Sequence, residues 1–270
     1  MIVYPHAKIN LGLHILGKRS DGYHNIETVI YPIGVCDILE VRMSQQPQLF
    51  LYGWPVEGAW QDNLCMKAYH MLCADFDLPP VQFHLYKQIP VGAGLGGGSS
   101  DGASALRLLN DFFSLGINDA ALEVYASRLG SDCPALLYHR PCLASGRGEV
   151  LCPFDVQLAD LYILVCKPDL FISTAQAYAK VQPQKPERTL REALSLPVQA
   201  WKECVVNDFE RALFPQYPVL REYKEQLYAS GAVYASLSGS GSALYGIYTS
   251  KDACKEAYGL LLSSGMGVVQ

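Results

Sequence analysis

The sequence predicts an α+β fold in two domains, and three observations support this class. The chain has 270 residues, of which 50% are hydrophobic, so it can bury a core in one or two domains. Residues 81–87 alternate between apolar and polar side chains, as a half-buried strand does. Residues 64–73 repeat apolar side chains at helical spacing. Both kinds of pattern recur after Pro153, so each half should combine strands with helices.

The first half opens with extended segments that should pair as an antiparallel sheet. A boundary near Pro153 separates a domain of residues 1–153 from a domain of residues 154–270. The elements expected before it are strands at 9–15, 26–33, 37–41 and 81–87, helices at 64–73, 101–110 and 118–129, a turn plus helix at 130–138, and a hairpin at 143–152 around Gly146, Arg147 and Gly148. The elements expected after it are strands at 161–166, 232–237 and 244–249, and helices within 190–210, at 219–230 and at 251–262.

A glycine-rich loop between the strand at 81–87 and the next helix is the most informative segment. Glycine adopts positive φ at little cost and lets a ligand approach the main chain, so successive N–H groups can converge on a phosphate. The loop feeds a helix N-terminus, which favours an anion, and Ser99 or Ser100 should cap that helix. The residues expected to bind the phosphates of a nucleotide are Pro90, Val91, Gly92, Ala93, Gly94, Leu95, Gly96, Gly97, Gly98, Ser99 and Ser100.

Three other interpretations of this loop fit less well. The G-x-G-x-x-G spacing matches a dinucleotide site, but the strand that should end in an acidic residue about 20 positions later is not evident. A P-loop needs a lysine where Gly98 stands. A flexible linker would not join an alternating segment directly to an apolar helix.

Composition and charge exclude several other classes. The formal net charge is −5 and the basic residues are dispersed, so no nucleic-acid partner is expected. The N-terminus lacks a signal pattern and no apolar run approaches the roughly 20 residues that span a bilayer, which predicts a cytoplasmic protein without a membrane partner. The nine cysteines lack C-x-x-C spacing, so buried reduced thiols are expected rather than zinc ligands or a disulfide framework.

Three ordered motifs carry a resemblance to a known family. The loop pattern P-x-G-x-G-L-G-x-G-S-S, together with residues 5–11 and 237–243, resembles the superfamily of galactokinase, homoserine kinase, mevalonate kinase and phosphomevalonate kinase (GHMP). The resemblance implies a two-domain architecture in which helices cover mixed and antiparallel sheets. It also implies a kinase that uses ATP with Mg²⁺, for which the sequence shows no dedicated acidic cluster, so the metal ligands stay unassigned.

Residues 7–13, 19–24 and 130–134 are similar to one branch of this superfamily. That branch phosphorylates the 2-hydroxyl of a cytidine-diphosphate-linked methylerythritol in the non-mevalonate route to isoprenoid precursors. Two alternatives stay open: a kinase of the superfamily that acts on mevalonate or homoserine, and a nucleotide-binding regulator without turnover. We expect a monomer or a weak homodimer.

Asp132 and Lys8 are the candidates for catalysis. A carboxylate can accept the proton of an alcohol during phosphoryl transfer, and a nearby ammonium would keep that carboxylate ionised. From the residues alone, Asp132 could equally be the N-cap before Cys133 and Pro134, and Lys8 a solvated lysine, although it lies in an apolar strand. The family resemblance places the catalytic pair on these two positions.

The candidates for binding the acceptor rest largely on the resemblance. An aromatic ring can stack on a pyrimidine and an imidazole can pair with its edge, although a Tyr-His turn packed on the core would show the same residues. The glycine turn at 238–242 could likewise be only a hairpin turn. The expected acceptor residues are Asn10, Tyr23, His24, Thr174, Tyr178, Gly239 and Ser240, and Asn63 is expected near the adenine.

Overall fold

The computed structural model describes residues 1–156 and 158–269. The chain folds into two compact units. The first unit comprises Met1–Lys8, Pro32–Val91 and Gly96–Arg140, and the second comprises Ile9–Tyr31, Gly92–Leu95 and the described part of Pro141–Gln270. The chain therefore passes from one unit to the other several times, whereas the sequence analysis placed a single boundary near Pro153. That boundary stays a prediction.

The described residues form strands and helices in a mixed order along the chain. The strands are β1 (Ile2–Val3), β2 (His6–Lys18), β3 (His24–Cys36), β4 (Ile38–Met43), β5 (Gln48–Gly53), β6 (Val81–Lys87), β7 (Cys142–Gly146), β8 (Val150–Pro153), β9 (Tyr162–Cys166), β10 (Tyr234–Leu237), β11 (Leu244–Tyr248) and β12 (Val268–Val269). The α-helices are α1 (Leu64–Cys73), α2 (Gly97–Phe112), α3 (Asp119–Leu129), α4 (Cys133–Leu136), α5 (Thr174–Tyr178), α6 (Leu190–Leu194), α7 (Trp201–Cys204), α8 (Asp208–Leu213), α9 (Pro218–Ala229) and α10 (Lys251–Ser263).

The first unit contains a four-stranded sheet in the order β1-β4-β6-β5. β4 is antiparallel to β1 and β6, whereas β5 runs parallel to β6, so the sheet is mixed. Helix α2 packs closely on its neighbours because Gly102 has no side chain. A Cβ at this position would lie 2.8 Å from Leu64 Cβ and 2.9 Å from Leu129 Cδ2. The glycine lets the backbone of α2 approach α1 and α3, which secures the helix that follows the glycine-rich loop.

The second unit contains the sheet β10-β11-β9-β12 and most of the sheet β2-β3-β7-β8. Residues 6–8 of β2 and 32–36 of β3 belong to the first unit. β9 pairs antiparallel with both β11 and β12, and β10 pairs antiparallel with β11. A buried cluster that includes Leu13, Ile15, Phe209 and Leu237 forms the core, with Tyr178 packed against it. The unit is thus built on antiparallel sheets with helices beside them.

Most of the predicted elements are present, and the α+β class is confirmed. Helix α1 and strand β6 have the predicted bounds, and the hairpin of β7 and β8 encloses Gly146–Gly148 as expected. The prediction of one mostly helical stretch over 190–210 is refined to α6, a 3₁₀ turn at Val198–Ala200, α7 and the start of α8. Strand β5, helix α5 and the two-residue strands β1 and β12 were not predicted from the sequence.

All nine cysteines are free thiols. Four of them are buried, as the sequence analysis expected for reduced cysteines: Cys65, Cys133, Cys142 and Cys166. Cys152 is exposed, and the remaining thiols are partly buried. Among the residues that the structure describes, no helix combines the length and hydrophobicity that crossing a membrane requires.

The three tryptophans lie in different surroundings. Trp201, at the start of α7 in the second unit, is 3% exposed and its indole N–H donates to the Leu196 carbonyl at 2.8 Å. Its ring meets Tyr234 edge-on at 5.8 Å between centroids. Trp54 and Trp60 of the first unit are 52% and 38% exposed.

Candidate active site

The glycine-rich loop adopts the left-handed conformations that its composition permits. Gly92, Gly94 and Gly96 have φ of 66°, 77° and 71°, a region that residues with a Cβ rarely occupy. Gly96 is the N-cap of α2, and the helix begins at Gly97. The expectation that Ser99 or Ser100 caps the helix is therefore wrong. Both serines lie in the first turn, because the run of glycines completes the loop and continues into the helix at Gly97.

The ends of the loop belong to the first unit and its middle, Gly92–Leu95, to the second. At the end in the first unit, Gly96 lies against Lys8, since a Cβ at Gly96 would be 2.9 Å from Lys8 Cγ and 3.1 Å from Lys8 Cε. In the second unit, the Ser238 hydroxyl donates to the Gly94 carbonyl at 2.9 Å, and the Ala243 N–H donates to the Ala93 carbonyl at 3.0 Å. The main chain of the loop is thus fixed by specific contacts in each unit.

A buried lysine between two carboxylates holds the chain on both sides of the loop. The Lys87 ammonium donates to Asp37 and, at 2.6 Å, to Asp101, and all three side chains are at most 3% exposed. Asp37 also accepts the backbone N–H groups of Gln88 at 2.6 Å and Ile89 at 2.8 Å, just before the loop. Asp101 lies in the first turns of α2, just after it. We call Asp37, Lys87 and Asp101 the buried triad.

The charges of the buried triad depend on one another. Burial raises the pKa of Asp101, although Lys87 acts to lower it. Burial acts to lower the pKa of Lys87, but Asp101 and Asp37 outweigh burial and the pKa is raised. Each carboxylate therefore needs the ammonium, and a change at one member leaves the others as uncompensated buried charge.

The two serines at the start of α2 have different environments. Ser99 forms a side-chain hydrogen bond with Cys133, a thiol whose pKa burial raises to about 12. The Ser100 hydroxyl is fully buried, and within the described residues it has no hydrogen-bond partner. Such an orphaned hydroxyl at a helix N-terminus suits an oxygen-rich ligand such as a phosphate or a hydrated cation.

Lys8 and Asp132 interact in the first unit. Lys8 is 4% exposed, and burial lowers its pKa while the Asp132 carboxylate acts in the opposite direction. Asp132 occupies the N-cap position of α4, but its side chain makes no capping hydrogen bond. The absence of this bond weakens the alternative in which Asp132 serves only as a helix cap. Lys8 is not a solvated lysine.

The second unit holds the glycine turn between β10 and β11. Gly239 and Gly241 have φ of 55° and 85°, and the turn joins two antiparallel strands as the sequence analysis expected. Asn207, which is fully buried, donates through its amide to the carbonyls of Leu237 at 2.8 Å and Gly239 at 2.9 Å. The sequence analysis did not identify Asn207, because no local pattern marks an asparagine that holds a turn distant in the chain.

Thr174 and Ser240 are brought together in this unit, with 3.4 Å between their hydroxyl oxygens. Asn10 is 4% exposed. Its side-chain amide donates a hydrogen bond to the Thr28 hydroxyl at 3.0 Å, and its backbone carbonyl accepts one from the Tyr245 hydroxyl at 2.8 Å. In the first unit, the Asn63 side chain accepts the Cys65 N–H at 2.9 Å as the cap of α1. The place of Asn63 near an adenine stays a prediction.

An aromatic group joins residues that are far apart in the sequence. The rings of His24 and Tyr178 are stacked, with 5.1 Å between centroids and 22° between planes, and Tyr178 meets Phe209 edge-on. Burial lowers the pKa of His24, with a smaller contribution from Lys18, so the ring is favoured in its neutral form. Tyr23 is 58% exposed, and the Arg147 guanidinium lies 5.0 Å from the centroid of its ring. The sequence analysis did not single out Arg147 as part of this group.

Comparisons with known proteins agree with this architecture. The model of the GHMP kinases N terminal domain matches residues 63–140, and that of the GHMP kinases C terminal domain matches residues 190–259. A 4-diphosphocytidyl-2-C-methyl-D-erythritol kinase of Bacteroides thetaiotaomicron is 50% identical over 252 residues, which cover 92% of this chain and 92% of that protein. One of Parabacteroides distasonis is 47% identical over 256 residues, with 95% and 94% covered.

A solved structure extends the comparison to the whole fold. The crystal structure of a 4-(cytidine 5'-diphospho)-2C-methyl-D-erythritol kinase matches with a TM-score of 0.85 and 30% identity, covering 99% of this chain and 98% of the other. Fold and relatives together define an ATP-dependent small-molecule kinase. The chain belongs to the GHMP kinase family. The architecture that the motif resemblance implied is confirmed.

The buried triad predicts an unequal effect of two lysine substitutions. Lys87→Met leaves two buried carboxylates without their cation and should lower the free energy of unfolding by about 3–5 kcal/mol. The matched control is Lys67→Met, since the Lys67 ammonium is 3.6 Å from Asp62 in a pair that is largely exposed. Removing that pair should cost less than about 1 kcal/mol. Urea unfolding measures both, and equal losses would contradict the role of the triad.

Proposed function

We propose that this kinase transfers the γ-phosphoryl group of ATP to the 2-hydroxyl of 4-diphosphocytidyl-2-C-methyl-D-erythritol, a step towards isoprenoid precursors. Relatives that carry the name of this activity cover more than nine tenths of the chain. The observation that carries the chemistry is the buried Lys8, whose pKa responds to Asp132 and whose stem lies against Gly96 of the glycine-rich loop. This supports Asp132 as the base and Lys8 as the cation, near one end of the loop proposed to bind the phosphates.

The proposed reaction is a direct transfer. The acceptor oxygen forms a bond to the γ-phosphorus while the bond from that phosphorus to its bridging oxygen breaks, so ADP leaves and no phosphoenzyme forms. Asp132 accepts the proton of the acceptor hydroxyl. Lys8 is the cation that interacts with Asp132, and it stabilises the negative charge that develops during transfer. Because Lys8 is buried, its charge acts with little screening by water.

The nucleotide phosphates are proposed to bind the main chain of the loop and the N-terminus of α2. Residues 92–97, four of which are glycines, supply backbone N–H groups, and the helix terminus adds a partial positive charge. Mg²⁺ would neutralise charge on the phosphates. No cluster of three or more His, Cys, Asp or Glu able to hold a metal occurs within residues 1–156 and 158–269. The orphaned Ser100 hydroxyl fits this role, with phosphate oxygens and waters completing the ligand set.

The acceptor is proposed to bind residues of the second unit. A neutral imidazole at His24 has one donor and one acceptor nitrogen, which suits the edge of a cytosine, while Tyr178 and Tyr23 offer rings for stacking. Thr174, Ser240 and the Gly239 turn offer hydroxyl and backbone groups to the diphosphate. Asn10 is the candidate for a substrate hydroxyl.

The choice of acceptor tests this function. In an assay coupled to ADP release, with ATP and magnesium, we expect turnover with 4-diphosphocytidyl-2-C-methyl-D-erythritol and not with mevalonate, homoserine or galactose. Phosphorus NMR identifies the product. Turnover with another alcohol would keep the kinase chemistry but overturn the proposed acceptor. ATP binding without turnover on any acceptor would favour a regulatory protein.

Asp132→Asn should lower kcat by roughly 100-fold or more, since the amide cannot accept the hydroxyl proton. The affinity for ATP, measured by titration calorimetry, should stay within about twofold of that of the unchanged protein, because the phosphates are proposed to bind the loop and not Asp132. Asp111→Asn, an exposed carboxylate of α2, is the control and should leave kcat unchanged. Turnover of Asp132→Asn close to that of the control would remove Asp132 from the role of base.

Substitutions in the aromatic group should act on the acceptor alone. Tyr178→Leu removes the ring that His24 stacks on, and His24→Ala removes the edge proposed to read the base. Each should raise the KM for the acceptor about tenfold or more, as loss of a stacked or paired base does, with the KM for ATP unchanged. Tyr162→Leu, an exposed tyrosine of the same unit, is the control. A rise in the KM for ATP instead would show that these residues do not belong to the acceptor site.

A further inference from the structure

The second unit contains a cavity of about 580 Å³ that the proposed function does not use. Its walls come from β2, from residues 184–188 and from the region of α7 and α8. Cavities of this volume hold small metabolites. All the residues that line it belong to the second unit, so it is a feature of that unit alone.

A buried histidine lies at the wall of this cavity. His14 is 4% exposed, and its Nδ1 has no hydrogen-bond partner among the residues that the structure describes. A buried polar atom without a hydrogen-bond partner costs free energy. The presence of such an atom in a side chain at the cavity wall indicates that a ligand or water would satisfy this side chain. No other residue of the cavity is in this state within the described part of the chain.

The cavity lies on the opposite side of β2 from the aromatic group. Leu13 and Ile15 belong to the core cluster against which Tyr178 packs. Side chains alternate across a strand, so His14, which stands between Leu13 and Ile15, points away from that cluster. The cavity is therefore separate from the stacked rings proposed to bind the acceptor base.

Three cationic side chains line the cavity, and one of them, Arg211, is fixed by contacts with neighbouring residues. Arg211 donates to the Gln184 side chain and lies 3.7 Å from Asp208, whose other oxygen accepts the Ile15 N–H at 2.8 Å. Lys185 and Arg188 add two exposed cations from the neighbouring segment. The acidic groups that line the cavity besides Asp208 are Glu187 and Glu203.

His14 is favoured in its neutral form. Burial lowers its pKa, Asp208 and Glu27 act to raise it, and Arg211 acts to lower it. A neutral imidazole has one N–H that it can give to an anion at either nitrogen, depending on the tautomer. It therefore offers a directed hydrogen bond without adding a buried charge.

We propose that this cavity is a second ligand site, which binds a small organic phosphate carrying hydroxyl groups. The phosphate lies against the Lys185 ammonium and the guanidinium groups of Arg188 and Arg211, which match phosphate oxygens, with the His14 imidazole in contact with the ligand. Glu187 and Glu203 accept hydrogen bonds from the ligand's hydroxyl groups. A metal ion is a poorer occupant, because no metal-binding cluster occurs in the described residues.

Glycerol 3-phosphate is the probe for this site. It is titrated into the full-length protein by calorimetry, with and without saturating ADP, so that binding at the glycine-rich loop is separated from binding at the cavity. Arg188→Gln and His14→Gln are compared with Arg221→Gln, an exposed arginine of α9 that does not line the cavity. Glycerol and succinate test the need for a phosphate, and thermal melting checks that each variant folds.

The expected result is saturable binding of one molecule that persists with ADP and weakens about tenfold in Arg188→Gln and in His14→Gln, as loss of one hydrogen bond to a charged group does. Arg221→Gln should bind as the unchanged protein does. The proposal is overturned by an absence of saturable binding, by loss of binding with ADP, by unchanged affinity in Arg188→Gln, or by equal affinity for succinate. None of these outcomes depends on the acceptor of the kinase reaction.

Discussion

The interaction on which the glycine-rich loop depends is the buried triad of Asp37, Lys87 and Asp101. Burying one ammonium and two carboxylates is costly, and the arrangement holds only because each charge is paired and hydrogen-bonded. Asp37 uses its remaining capacity on the backbone N–H groups that precede the loop, while Asp101 belongs to the helix that follows it. The glycines between these two anchors have no side chains that could fix the loop. The ionic contacts of the triad therefore supply the order that an anion site would need.

The two units position their polar groups by different physical means. In the first unit, charge does the positioning: the triad fixes the loop, and the buried Lys8 interacts with Asp132. At the glycine turn of the second unit, neutral hydrogen bonds do so: the Asn207 amide holds the turn, and the Ser238 hydroxyl holds Gly94.

Much of the fold and part of the site could be predicted from local patterns. The glycine-rich loop stands out by its composition, and α1 and β6 have clear periodicity, whereas Lys8 and Asp132 were assigned by the family resemblance. Lys87 was within reach, because it shares the face of Val81, Phe83 and Leu85 in an alternating strand and so had to be buried. Strand β5 was missed because most of its residues are exposed and show no alternation. The contact of His24 with Tyr178 and the support of Gly239 by Asn207 join distant parts of the chain, which a sequence pattern does not encode.

The placement of the tryptophans makes the two units optically distinct. Trp201 is shielded from solvent and its indole N–H is bonded to a carbonyl, so its emission should be blue-shifted and insensitive to quenchers dissolved in water. Trp54 and Trp60 are open to solvent and should be quenched readily. Intrinsic fluorescence in the presence of iodide therefore isolates the signal of the second unit, whose Trp201 follows directly on Ala200 of the cavity wall. The protein thus carries its own reporter beside that cavity, and no chemical label is needed to observe it.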